Sequence, residues 1–333
     1  MLHFTNTFKP IRKIFFFRWE GLGDLILDTP LFRIIKENLK DTELTVITSP
    51  KNREILFYNP FVDYVLPKKS LLELLFKKCD LFIDMMGNTR TFLLFLILRP
   101  PLRLGFQKKL PFLNLKIPFV ATPEYTIKHR LKLLKILNIK NIPENPLPET
   151  YLSKMEEEKF KVKFKDIIKY DYVTIFPYAK GKVRDFNDKI YSYLNDRLTE
   201  KNIKVIFIFT QEGIKKFEKI RKLCKREPDY LYSPSLRELI FLLKYSKLYI
   251  GPDTGPRHIA ISQNTKTLTF FTHTNPINWT PKGYENHRFF TPEIDCHPCE
   301  TKNLNLCKRK DFKCLSLFDP EKIFETSIEL LKK

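Results

Sequence analysis

Apolar residues in the first half of this chain fall into short blocks separated by helical repeats. Lys13 to Arg18 holds Ile14, Phe15, Phe16 and Phe17 without interruption, which predicts a buried strand. Leu25 to Leu39 places Leu27, Leu31, Ile34 and Ile35 at helical spacing. Leu44 to Thr48 predicts the next strand, and a helix follows over Arg53 to Tyr58. Val62 to Leu66 and Asp80 to Asp84 read as two further strands, with a helix over Ser70 to Lys77 between them. Strands alternating with helices at this spacing imply βαβ units and a parallel sheet. The pattern breaks between Arg99 and Pro123, where Pro100, Pro101, Pro111, Pro118 and Pro123 punctuate what reads as a connecting loop. Thr126 to Leu137 is helical again, and Asn138 to Pro148 is an Asn- and Pro-rich loop.

The second half repeats the alternation. Tyr172 to Phe176, Val205 to Phe209, Leu248 to Ile250 and, as the last strand, Thr267 to Phe271 are short apolar runs. Leu236 to Lys244 and Glu321 to Leu331 are helices, and Met155 to Lys169 is a charged helix suited to linking two domains. The division expected is residues 1–165, residues 166–318 and a closing helix over 319–333.

Two glycine loops stand between a strand and a helix. One is Gly251-Pro252-Asp253-Thr254-Gly255-Pro256-Arg257-His258. The first turn of the following helix offers unpaired N–H groups and a positive dipole end, which can hold an anion. Thr254 adds a hydroxyl, Gly255 allows close approach, and His258 sits one turn on; a plain Asp or Thr helix cap is the alternative. The other loop is Gly21-Leu22-Gly23-Asp24, directly after the first strand.

Together the two loops resemble family 9 glycosyltransferases, the ADP-heptose:lipopolysaccharide heptosyltransferases. In that family the first loop reads Gly-(Leu/Met)-Gly-Asp with a downstream Thr-Pro, here Thr29-Pro30, and the later loop reads Asp-Thr-Gly-Pro-x-His. The resemblance implies an α/β fold of GT-B type, with two Rossmann-like domains facing across a cleft. It implies Asp24 as the base and Gly21 and Gly23 on the acceptor side. Asp253, Thr254, Gly255, Pro256 and His258 would then surround the donor phosphates. Arg103-Leu104-Gly105-Phe106 resembles the family's Arg-Ile-Gly-Phe segment. With Arg99, Lys108 and Lys109 it makes a basic, aromatic stretch suited to an acidic glycolipid, or simply a loop whose cations face water. Glu212 stands where the family places a glutamate on the nucleoside. Phe176 to Phe186 departs most: Pro177 and Ala179 match, whereas Tyr178 and Lys180 replace a Gly and a Ser. Lys180, Lys182 and Arg184 nevertheless suit a diphosphate, since arginine binds phosphate bidentately.

Composition narrows the partners. The formal net charge of +21 calls for an anionic one: nucleic acid, an acidic membrane face or a phosphorylated substrate. No helix-turn-helix, RNP or zinc-finger pattern accompanies the charge, so a specific nucleic acid is not expected. No Gly-x-Gly-x-x-Gly follows a strand and no Walker A motif occurs, which weakens dehydrogenase and P-loop readings. No Asp-x-Asp pair is present to hold a divalent ion on a nucleotide sugar; the resemblance implies an inverting transfer that needs no metal. Met1 to Lys13 lacks an apolar signal core, and the longest apolar run, Phe92 to Leu98, is far short of the ~20 residues that span a bilayer. The expected location is cytoplasmic, peripheral on the inner face of the inner membrane. Four of six cysteines, Cys296, Cys299, Cys307 and Cys314, crowd one segment. A structural zinc or iron site remote from the chemistry, disulfides, and free thiols are all open; related autotransporter heptosyltransferases bear an iron-bound four-cysteine finger.

Overall fold

The computed structural model describes residues 10–67, 71–74, 77–107, 112–118, 123–283 and 285–332. Two compact units emerge, Met1–Thr122 with Ile127–Pro146, and Pro123–Thr126 with Leu147–Lys333.

The first unit is built on β1 (Lys13–Phe17), α1 (Leu22–Asn38), β2 (Glu43–Ile47), β3 (Tyr64–Leu66), β4 (Leu81–Asp84), α2 (Thr89–Leu98), β5 (Leu102–Gln107), β6 (Leu115–Pro118) and α3 (Thr126–Ile136). Its six strands are parallel in the order β3-β2-β1-β4-β5-β6. Ile14 to Phe17 are all buried, as a central parallel strand covered on both faces requires. Phe15, Phe17, Phe82, Leu94, Phe95 and Leu98 share one core cluster. Pro30 lies inside α1 and cannot donate to the Ile26 carbonyl; the Thr29 hydroxyl does so instead at 2.7 Å.

Three expectations change here. The helices foreseen at Arg53–Tyr58 and Ser70–Lys77 are 3₁₀ turns, Pro50–Leu56 and Leu71–Leu74. The supposed loop from Arg99 to Pro123 contains two strands, β5 and β6. Pro100 and Pro101 precede β5, and Pro118 ends β6, an edge strand where a missing N–H is tolerated. Four residues, Leu115 to Pro118, are too short a run to declare a period; pairing Leu104 with Leu115 makes them a strand.

The second unit comprises α4 (Lys154–Lys163), α5 (Lys165–Ile168), β7 (Tyr172–Ile175), α6 (Asp188–Glu200), β8 (Lys204–Phe209), α7 (Ile214–Leu223), β9 (Asp229–Tyr232), α8 (Leu236–Tyr245), β10 (Leu248–Pro252), α9 (Gly255–Ser262), β11 (Lys266–Phe270), α10 (Pro276–Trp279), β12 (His287–Phe290) and α11 (Pro320–Lys332). Its strands are also parallel, ordered β12-β11-β10-β7-β8-β9. Thr267–Phe271 is therefore not the last strand; β12 pairs outside it. The charged segment Met155–Lys169 is two helices joined at buried Phe164, and it is not a linker. A Ser153–Glu156 capping box starts α4, and Arg237 of α8 holds Glu156 at 2.7 Å. The contact boundary thus falls near 147 and not at 165. The closing helix α11 sends Ile323, Phe324 and Leu330 into the same core as Phe186 and Phe270.

Both sheets have the strand order 3-2-1-4-5-6 when counted within each unit. The order reverses between β1 and β4, and again between β7 and β10. Ligands of open α/β sheets bind beyond the carboxyl ends of the strands at such points.

Candidate functional site

Gly21 and Asp24 sit at the first reversal. Gly21 caps α1 with φ of +82°, and a Cβ there would lie 2.6 Å from the Asp24 carboxylate. Glycine is required both by the left-handed backbone and by the carboxylate folded over it. Asp24 lies in the first turn of α1, with Gly23 beside it, and its side chain is 37% exposed. Arg130 of α3 donates to the Asp24 carboxylate, to its backbone carbonyl at 2.6 Å and to Asp28 at 2.7 Å. Asp28 is completely buried and also accepts from Arg18 Nε at 2.6 Å, while Arg18 reaches the Met85 carbonyl at 3.2 Å. Two arginines and two carboxylates thus form one chain, Arg18–Asp28–Arg130–Asp24, buried as far as the partly exposed Asp24. Sequence reasoning missed Arg18, Asp28 and Arg130. A charged Asp28 inside the apolar stretch Leu25 to Leu31 was the available signal.

The second reversal gathers the later motif. Arg257 is fully buried and donates to Asp253 at 3.0 Å, to the Trp279 carbonyl at 2.9 Å and to Thr280 Oγ1 at 2.8 Å. His258 Nε2 lies 3.5 Å from the same Asp253 oxygen. Asp253 thus anchors its own helix. Thr254 is the N-cap of α9 by backbone conformation, with no side-chain cap bond; its hydroxyl sits 3.4 Å from that of Tyr249. Gly255 and Pro256 open the helix.

Facing this turn is the loop from Phe176 to Phe186. Arg184 Nη2 lies 3.5 Å from His273 Nε2, and the Thr272 hydroxyl donates to the Val183 carbonyl. His273 is buried, and burial together with the Arg184 charge pushes its pKa down to about 4. It is therefore neutral at physiological pH, and its Nε2 accepts from Arg184. Lys182 and Glu212 line a separate polar hollow with Tyr178, Asp185 and Lys216. Lys216, largely buried, ties Asp185 and Asp188 at 2.7 and 2.6 Å and so fixes the end of the loop. Lys180 is exposed on the same loop.

These two sites lie in a chain whose residues 69–308 match the model of glycosyltransferase family 9 (heptosyltransferase). The chain belongs to that family. A lipooligosaccharide heptosyltransferase 2 of Campylobacter jejuni is 24% identical over 96% of this chain and 98% of its own. The glycosyl transferase family 9 structure from Veillonella parvula shares the fold with a TM-score of 0.82, at 16% identity, over 98% of this chain and 99% of that one. The Escherichia coli ADP-heptose LPS heptosyltransferase II does so at 0.76 and 17% identity, over 96% and 98%. The α/β fold of GT-B type is thereby established.

In this heptosyltransferase Arg103 is not on a loop. It lies on β5, with its guanidinium 5.8 Å from the Phe95 ring. Arg99 is exposed and ends α2 in a left-handed conformation. Lys108 and Lys109 lie outside the described residues. No helix among the described residues is long and apolar enough to cross a membrane.

Cys296, Cys299, Cys307 and Cys314 are free thiols, all partly buried. Burial and the neighbouring thiols Cys307, Cys296 and Cys299 push Cys314 up to about 11. Among the described residues no three His, Cys, Asp or Glu side chains are gathered as a group that could hold a metal ion. The segment touches the loop that carries Arg184. The Val183 N–H donates to the Leu304 carbonyl at 3.0 Å, and the Lys182 N–H to Asn305 at 3.3 Å. Gly181, with φ of +99°, packs so tightly that a Cβ would fall 2.3 Å from that of Leu304. The cysteine-bearing loop braces the Arg184 loop.

Proposed function

We propose that this heptosyltransferase moves a heptose from ADP-heptose to a lipopolysaccharide core acceptor, with inversion and without a catalytic metal, at the cytoplasmic face of the inner membrane. The observation that carries this reading is the position of both matched motifs: each stands at the point where its sheet reverses strand order. The substrates named for the Campylobacter and Escherichia coli relatives support the choice of donor and acceptor.

In the proposed step an acceptor hydroxyl attacks the anomeric carbon. The bond from that carbon to the diphosphate breaks, and the hydroxyl proton passes to Asp24. A single displacement of this kind inverts the centre. The first unit supplies the base, oriented by Arg130, and Gly21, Gly23, Arg99 and Arg103 belong to the acceptor side. In the second unit Arg184, with Lys180, Lys182 and the N–H groups opening α9, meets the charge that develops on the leaving ADP. Glu212 stands for the ribose hydroxyls. A different nucleotide sugar is the second reading, favoured by Tyr178 and Lys180 in the loop that recognises the donor.

Asp24→Asn keeps shape and removes the base. Transfer should fall by roughly 10²–10⁴ while ADP binding survives. Turnover near that of the wild type would remove Asp24 from this role.

A further inference from the structure

α2 carries the chain's longest apolar run and turns only half of it inward. Thr91, Leu94, Phe95 and Leu98 are buried. Leu93, Leu96 and Ile97, spaced i, i+3, i+4, form the opposite face and are 53, 55 and 50% exposed. On a helix facing water these positions would be polar. Single exposed leucines need no explanation, but a stripe of them marks an interaction surface. The neighbouring 3₁₀ turn Leu71–Leu74 packs Leu74 into the same core as α2 and leaves Leu72 71% exposed.

The charges on α2 itself are of one sign, with Glu20 set against Arg90. No acidic residue occurs from Thr89 to Arg99. Arg90 opens the helix, over the Trp19 ring at 4.8 Å and 3.6 Å from Glu20, and Arg99 closes it in the open. An isologous contact with a second copy would bring arginines against arginines in a chain of net charge +21. An anionic bilayer instead supplies countercharge beneath the whole face, and an acyl boundary for the leucines.

We propose that the outer face of α2 docks on an anionic lipid bilayer, with Leu93, Leu96 and Ile97 entering the headgroup–acyl boundary and Arg99 meeting lipid phosphates. This rests on the reading of a lipid-borne acceptor and deepens it. It places the membrane contact on a helix and not on the basic segment that follows.

The test is cosedimentation with vesicles of phosphatidylglycerol and phosphatidylethanolamine, against vesicles of phosphatidylcholine alone. The wild type should bind the anionic vesicles, less so at high salt. Leu93→Gln with Leu96→Gln should lower that binding by about tenfold or more, since each leucine leaves an apolar environment. ADP binding and the melting temperature should stay as in the wild type, which separates lost docking from lost folding. Arg99→Gln should flatten the salt dependence. Equal vesicle binding by wild type and double variant overturns the proposal. So does a wild type that is a dimer broken by the same double variant, because the face would then belong to a second copy. Failure of heptose transfer to any lipid acceptor, with vesicle binding still lost in the double variant, sinks the acceptor reading and leaves the docking face standing.

Discussion

Arg130 grips Asp24 twice, by its carboxylate and by its backbone carbonyl, from a helix more than a hundred residues away. The same guanidinium holds buried Asp28. One residue thus orients the proposed base and neutralises a buried carboxylate.

Arg130→Met should therefore damage two properties together. Asp28 would keep only Arg18, and leaving a buried charge short of a partner costs about 3–5 kcal/mol. Asp24 would lose its orientation, so kcat should drop while ADP affinity holds. Arg130→Lys, able to reach only part of the network, should fall between. Chemical denaturation and steady-state kinetics check both; unchanged stability in the methionine variant would refute the network.

Arg184→Ala should weaken ADP binding by about 1.5–3 kcal/mol, the range for a hydrogen bond to a charged group. Titration calorimetry reads it directly. Equal affinity in wild type and variant would take Arg184 out of the donor site.

Gly181→Ala tests the brace from the cysteine loop. Alanine is strained at φ of +99°, and its Cβ would collide with Leu304. Displacement of the loop should raise the Kd for ADP, an effect that a remote loop could not produce. Elemental analysis of protein purified without metal resin tests the same segment for zinc and iron. A full equivalent of either metal would show that the four thiols close around an ion.

Stability should fall in acid through two buried histidines. His273 is pushed down to about 4 by burial and Arg184, and His287 to about 3 by burial and Arg257. The unfolded chain, with ordinary values near 6.5, takes up these protons first. Stability is then fully present above about pH 6.5 and is lost as pH falls toward 4, by up to about 1.4 kcal/mol per pH unit for each residue. Melting curves across that window should be shallower for His287→Gln. Parallel curves would mean that His287 titrates normally.

Local chemistry alone determined the βα alternation and both glycine loops. Short unbroken blocks bounded by polar residues, such as Ile14 to Phe17, fit central strands, and a glycine between strand and helix marks the turn wherever it lies. Asp24 and Asp253 were proposed because the loops that carry them resemble the family's motifs, and Arg184 because it takes the place of the family's lysine in a basic loop. Other features needed the tertiary structure. β6 exists because Leu104 pairs with Leu115, and four residues show no period of their own. The partners of Asp24 and Arg184 also lay beyond sequence. Arg130 is 106 residues from Asp24, and His273 is 89 from Arg184. Charge attraction depends on separation in space and on exclusion of water, and neither leaves a mark on the order of residues. The cysteine loop likewise turned out to brace the loop that carries Arg184. That contact is made by the backbone of Leu304 and the side chain of Asn305, and the cysteine spacing does not encode it.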